Sequence, residues 1–216
     1  MAPVHRVLSY GDRALLVEWA EVEVLPAHVA EAVLAGCGDR CAVAVPGART
    51  VLVVASPGTT PADLVPLLDR AWSEVVEGAG ASAAVTDDLP VEVRVVYDGE
   101  DLAAVAEHCG LTPDEVVAAH TGTSWTVGFA GFAPGFPYLV GGDPRLRVPR
   151  RSDPRPRVPA GSVALADDLS GIYPSATPGG WQLIGRTEAV LWDVDRDPPA
   201  LLPPGTVVRF VAEGPA

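Results

Sequence analysis

Six arginines, Arg145, Arg147, Arg150, Arg151, Arg155 and Arg157, fall between Asp143 and Arg157, with only Asp143 and Asp153 to oppose them. This segment sums to +4 on a chain of formal net charge -13, so the remainder carries -17. A local positive field on an acidic protein attracts a specific anion rather than polyanions in general. Guanidinium suits carboxylate or phosphate, because it donates two parallel hydrogen bonds to either. For any single arginine, an ion pair within the protein or with a partner is the simpler account. For the cluster as a whole, a site or an interface is the better reading.

Flanking motifs carry groups of complementary chemistry. GFAGFAPGFPYL occupies 128–139 and GIYPSATPGGWQLIGRT occupies 171–187. Tyr138, Tyr173, Trp181 and Gln182 come from segments that can converge. Their hydroxyls and amide would orient a small polar substrate while the rings exclude water. The competing reading, serious for Trp181 and Phe129, is that these rings plug the core of a barrel. Gly179-Gly180 reads as a tight turn or as a close approach of another chain. His120 lies at the C-terminal end of a predicted helix. That position suits a general base or an anion holder, and equally a cap on the last helical carbonyls. His5, His28 and His108 have no convergent partners in the sequence. Ser162 follows Gly161, but there is no G-x-S-x-G and no triad spacing, which argues against a serine hydrolase. No H-E-x-x-H or other dense ligand spacing is present, so no metal site is expected. Cys37 and Cys41 form a lone C-x3-C that reads as buried thiols.

There is no lysine: all fifteen cations are arginine. That excludes a Schiff-base lysine, a Walker A lysine and a biotinyl-lysine on this chain. ATP or biotin, if used, must be served by groups on another polypeptide. The acidic balance disfavours nucleic acid and anionic membranes as partners. No apolar run reaches ~18 residues, so no transmembrane helix is expected. An N-terminus without a basic region and apolar core predicts no export signal. With three unpaired-looking cysteines, this predicts a reducing, cytoplasmic location.

The elements that must position these groups divide in two. Strands are predicted over 4–10 and 13–20 around Gly11-Asp12, then a helix over 24–35 ended by Gly36. Strands over 41–45 and 49–55 flank Pro46-Gly47. A second helix opens at Thr60-Pro61-Ala62-Asp63, a capping-box spacing, and runs to about Glu77. The order β-β-α-β-β-α is that of a small α+β layer. Residues 78–88 read as a linker, with a boundary near 86. Beyond it come a strand over 90–97 and helices over 100–109 and 113–120, the second with a capping box at Thr112. Short β runs then follow, among them SWTVGFA, SVALA, GIYP, WQLIGRT, AVLWDV and TVVRFV, suggesting a closed barrel or sandwich.

GFAPGFPYL at 131–139, PRRSDPRPRVPAGSV at 149–163 and GIYPSATPGGWQLIGRT at 171–187 together resemble the KipI (PxpB) family of 5-oxoprolinase components, also called allophanate hydrolase subunit 1. GDRALLVEW and HTGTSWTVGF fit it too, and only 36–56 matches by pattern alone. The resemblance implies an α+β protein with a ferredoxin-like domain over 1–85 and a cyclophilin-like β-barrel over 86–216. It implies a KipA-type 5-oxoprolinase component as partner in a hetero-oligomer, and a third component of LamB/YcsF type. Together these would open 5-oxoproline to L-glutamate, with ATP and Mg bound by the complex rather than by this chain alone. Within that frame His120, Arg157 and Arg186 are the expected catalytic groups. Tyr138, Ser162, Tyr173 and Gln182 are expected to bind substrate. Phe132, Pro134, Gly135, Phe136 and Pro137 would shape the first loop, and Arg150, Arg151, Gly179, Gly180 and Trp181 the others. The same resemblance leaves two further readings: the carboxyltransferase part of a urea carboxylase, with biotin on another chain, and a histidine-kinase inhibitor using an apolar cleft rimmed by Phe132, Phe136 and Tyr138.

Overall fold

Alternation of buried and exposed residues organises the N-terminal strands. Leu15, Val17 and Trp19 point to one side of their strand, and Val51, Val53 and Ala55 to the same side of another. Period-two burial of this kind needs a cover on one face only. The computed structural model, which describes residues 5–19, 24–79 and 89–214, supplies that cover with two helices. The elements are β1 (His5–Tyr10), β2 (Ala14–Trp19), α1 (Pro26–Cys37), β3 (Cys41–Pro46), β4 (Thr50–Ala55) and α2 (Pro61–Ala79). The sheet order is β1-β2-β4-β3, all antiparallel. Val29 and Val33 of α1 and Leu64, Leu68 and Ala71 of α2 bury themselves against it.

The β-β-α-β-β-α order therefore holds, but it is not the ferredoxin-like β-α-β-β-α-β plan. The turns are too short for a crossover: Gly11 takes φ 66°, and Gly47 N–H bonds Thr50 O at 2.7 Å. A short turn can join only antiparallel neighbours. α1 runs past Gly36 and stops at Gly38, whose N–H still makes the helical bond to Leu34 O but whose φ of 51° turns the chain away. At α2 the Asp63 carboxylate accepts from Thr60 N–H at 2.9 Å, as the capping spacing predicts. α2 reaches Ala79; the rest of the expected linker, and the boundary placed near 86, lie outside the described residues.

The chain divides into units Met1–Asp87 and Asp88–Ala216. The second contains β5 (Val91–Val95), α3 (Leu102–Cys109), α4 (Pro113–Gly122), β6 (Trp125–Ala130), β7 (Pro137–Val140), β8 (Arg155–Val158), β9 (Ser162–Ala166), β10 (Leu169–Ile172), β11 (Thr177–Gly179), β12 (Gln182–Arg186) and β13 (Val207–Ala212). Seven strands form one sheet in the order β12-β9-β10-β7-β6-β13-β5. Its two edges meet, because Val96 and Arg186 exchange N–H···O bonds of 2.9 Å each. Gly99 N–H to Ile184 O at 3.2 Å and Asp101 N–H to Leu183 O at 2.9 Å extend this seam. The result is a nearly closed barrel, which leaves few unpaired edges.

β8 and β11 form a separate two-stranded ribbon. Pro156 is tolerated there because an edge strand can lack one donor. AVLWDV, expected as a strand, is loop except for the Trp192–Ala200 bridge. Arg196 holds that loop, donating to the carbonyls of Val190, Leu191, Pro198 and Pro199.

The seam depends on close approach at Gly99. A Cβ there would run into the backbone of Leu183, Ile184 and Gly185, which cannot yield without opening the barrel. Gly99→Ala should cost roughly 1–3 kcal/mol of stability through overpacking. Urea unfolding of the variant checks this, and an unchanged midpoint would show that the seam has slack.

Candidate functional site

Asp101 occupies the residue before α3 but does not cap it with its side chain. Its buried carboxylate turns to the loops instead. Oδ1 accepts from Arg151 Nη1 and Arg155 Nη2, both at 2.9 Å, and Oδ2 accepts from Leu183 N–H at 2.7 Å. Burial pushes the carboxyl's pKa up, but the hydrogen bonds from Arg155 and Leu183, with the charges of both arginines, outweigh it and hold it below the usual value. Arg155 also reaches Glu100 at 3.1 Å. Arg151 N–H bonds Gly180 O at 2.7 Å. One buried acid thus joins the start of α3, the arginine segment and the Gly179-Gly180 loop.

Pairing sorts the arginines. Arg145 forks onto Asp143 with contacts of 2.6 to 3.2 Å. Arg151 and Arg155 belong to Asp101, and Arg186 bonds Asp98 at 2.9 Å. Arg147 and Arg157 are exposed. Arg150 differs from all of these. Its guanidinium lies 5.9 Å from the centre of the Trp181 ring, and its one ion-pair contact among the described residues, to Asp167, is 3.9 Å.

Trp181 belongs to an aromatic group built by the other two motifs. Phe136 packs edge-on to Tyr173 at 5.1 Å and to Trp181 at 5.5 Å, and Tyr138 meets Trp181 at 5.6 Å. Phe129 and Tyr138 stack at 4.2 Å. Burial raises the phenol pKa of both Tyr138 and Tyr173, and the Arg150 charge works against that rise at each. The hydroxyl of Tyr173 lies where a side chain at Gly179 would be, so only glycine fits. Two atoms on the β8–β11 ribbon, Arg155 Nη1 and Thr177 Oγ1, are buried and have no partner among the described residues.

The remaining predicted residues scatter. Ser162 is buried on β9, and Gln182 donates to Pro149 O at 3.0 Å, bracing the arginine segment. Phe136 and Pro137 are buried, Tyr138 is half-buried, and only Phe132 and Pro134 of that loop stand out. The expected apolar rim of Phe132, Phe136 and Tyr138 is therefore not the one found. An open depression of about 370 Å³ is lined instead by residues 130–135 and Trp192. Phe132 (φ 66°) is exposed there, and Val190 and Val194 of the neighbouring loop are exposed as well.

His120 needs correction. Its ring has no exposed surface, stacks on Phe210 at 4.2 Å and has its pKa pushed down to about 3 by burial. Nδ1 pairs with Tyr97 OH at 2.7 Å and Nε2 with Ser170 Oγ at 2.9 Å. Both nitrogens are occupied, so this is a neutral core residue, out of a substrate's reach. Its helix-end position serves to pin α4 to the barrel. Asp101 and Arg155 are not legible as a unit in the sequence, because their 54-residue separation carries no local signal. No group of three potential metal ligands occurs among the described residues.

Two outcomes follow from these buried groups. The unfolded chain binds the His120 proton near the ordinary value of about 6.5, the folded chain only near about 3. Stability is thus complete above 6.5 and falls as pH drops toward 3. His120→Gln should flatten the decline in unfolding free energy between pH 6.5 and 4.5; an equal slope would contradict it. Asp101→Asn leaves Arg151 without a counter-charge and Arg155 with only the exposed Glu100, and should cost about 2–3 kcal/mol, the partial exposure of Arg151 keeping the loss below that of a fully buried pair. Thermal or urea unfolding at pH 7 measures it.

Comparison with known proteins gives these features a setting. A family model described as carboxyltransferase domain, subdomain C and D, matches residues 5–202. The B subunit of 5-oxoprolinase from Escherichia coli O157:H7 is 44% identical over 174 residues, covering 79% of this chain and 77% of that one. The crystal structure of TTHA0988 is 36% identical with a TM-score of 0.73; the match covers 95% of this chain and 41% of that one, so this chain spans about two fifths of its length. Kluyveromyces lactis urea carboxylase shares the fold at 21% identity and TM-score 0.69, over 98% of this chain and 22% of that one.

Proposed function

The chain belongs to the KipI (PxpB) family of 5-oxoprolinase components, whose members carry carboxyltransferase subdomains C and D, and from that premise we propose that it is the B subunit of a heteromeric, ATP-dependent 5-oxoprolinase. The observation that carries this reading is the 44% identity to the Escherichia coli protein over most of both chains. The proposed reaction opens the lactam of 5-oxo-L-proline to L-glutamate. A lactam is a poor electrophile, and phosphorylating its carbonyl oxygen supplies a leaving group, which accounts for ATP.

This chain's own contribution follows from its residues. Without lysine it has no Walker A lysine, which supports placing ATP and Mg at the level of the complex rather than on this chain alone. Rigid loops held by Asp101 present arginine and aromatic groups at one place. Donors held in place by packing stabilise developing charge better than mobile ones. The acid–base step falls to a group other than His120, because that ring is enclosed. TTHA0988 carries this fold on a longer polypeptide, which supports a working unit larger than this chain. We assign a KipA-type protein as partner, with a LamB/YcsF-type protein completing the enzyme. The exposed apolar patch around Phe132 and Trp192 suits such a contact, since patches of this kind mark interaction sites.

Carboxyl transfer to urea or a related amide is the second reading, favoured by the family model's own description. Biotin would then be carried by another chain. Glutamate release from 5-oxoproline and ATP separates the two. Turnover is expected only when this chain, the KipA-type protein and the LamB/YcsF-type protein are combined, and not from any one alone. A well-formed complex with no turnover would sink the oxoprolinase reading and move carboxyl transfer to the front.

A further inference from the structure

The arginine segment holds six guanidinium groups, and the structure leaves one of them poised for a ligand. Arg145, Arg151 and Arg155 each have a carboxylate within 2.9 Å, held at two or more points by its surroundings or by its partner. Outside the segment, Arg186 is likewise paired. A substrate carboxylate would have to displace an acid already in place at any of these. Arg147 and Arg157 are exposed, but no aromatic ring lies under either among the described residues, so nothing there fixes the plane of the guanidinium.

Arg150 meets both requirements. Its guanidinium sits over the Trp181 ring, 5.9 Å from the centroid, while Trp181 is fixed by Phe136 and Tyr138. A cation held over a ring face is attracted by the ring rather than by hydrogen bonds, which leaves its N–H groups available for a bidentate acceptor. The only acid paired with it among the described residues, Asp167, is 3.9 Å away, with both side chains more than half exposed. Such a pair is weak and readily exchanged. Tyr138, half-buried and 5.6 Å from the same Trp181 ring, borders this guanidinium, whereas Tyr173 is enclosed beneath it in the aromatic group.

We propose that Arg150, oriented by Trp181, recognises the carboxylate of the cyclic-amide substrate, with the half-buried Tyr138 bordering the same subsite. The proposal rests on the 5-oxoprolinase reading and names the residue that distinguishes 5-oxoproline from a plain lactam. Arg150 binds ground state and transition state alike, because the carboxylate does not change during ring opening. Its loss therefore belongs in KM rather than kcat.

The test uses the assembled complex with Arg150→Met and Arg150→Lys. Steady-state glutamate release is measured, and binding of 5-oxoproline and of 2-pyrrolidinone, which lacks the carboxylate, is followed by calorimetry. Arg150→Met should raise KM for 5-oxoproline on the order of ten- to a hundredfold, the range for a charged hydrogen-bonded pair, with kcat nearly unchanged. Arg150→Lys should recover part of the loss. Binding of 2-pyrrolidinone should be equal in wild type and Met variant. An active complex whose KM is unaffected by Arg150→Met, or whose kcat alone falls, overturns the assignment and leaves the oxoprolinase reading standing. A wild-type complex without turnover removes that reading, and calorimetry then decides the subsite alone. Binding of 5-oxoproline that Arg150→Met abolishes upholds the subsite; equal binding, or none, overturns it.

Discussion

One buried carboxylate organises the second unit. Asp101 accepts from two arginines of one segment and from a backbone N–H on β12, donors that lie 50 to 82 residues further along the chain. A charge so buried is tolerable only when its hydrogen-bonding capacity is filled. Removing any donor would leave that charge under-compensated, so the start of α3, the arginine segment and β12 are held in one arrangement. The same stretch forms the seam that closes the sheet, since Val96, Gly99 and Asp101 all bond β12 through the backbone. Barrel closure and site geometry thus share residues.

That arrangement gives the dense Gly, Pro and aromatic motifs their meaning. Phe136, Tyr138, Tyr173 and Trp181 interlock at 5.0–5.6 Å, and glycine is required where Tyr173 meets Gly179. The prolines limit the loops, and the rings supply contact area that a linker lacks. Arginine then divides by function. Those with nearby acids brace the loops, and Arg150 stays over an aromatic face. The count of positive charges on the segment overstates what is free to act, because Arg145, Arg151 and Arg155 are already neutralised locally.

His120 and Arg150 show why residue type alone misleads. A histidine at a helix end beside Gly/Pro-rich loops fits a general base by position. The fold turns its ring inward, between Phe210 and Trp125, and gives both nitrogens partners. In the sequence Arg150 is one loop-shaping arginine among six, because its distinction is the Trp181 ring, thirty-one positions later. The motifs point equally to Arg157 and Arg186 for catalysis, yet one is an exposed ribbon residue and the other pairs with Asp98. Local chemistry ranks candidates by type; burial and long-range pairing rank them by availability.

Local signals by themselves determined much of the architecture. Short β-rich runs marked the strands, Thr112 and Thr60 marked helix starts, short Gly turns marked hairpins, and three long motifs marked the family. Each of these acts through neighbours a few residues apart, so it is written in adjacent letters. Proline-bearing β7 and β8 and the three-residue β11 carry no such mark, because their pairing comes from partners rather than propensity. Tertiary structure alone decided the sheet order, the closing seam, the burial of His120 and which arginine stays open to a ligand. Those outcomes depend on contacts between residues from about two dozen to more than a hundred positions apart, such as Tyr97–His120 (23) and Val91–Val208 (117), and no local pattern encodes which distant side chain will meet which.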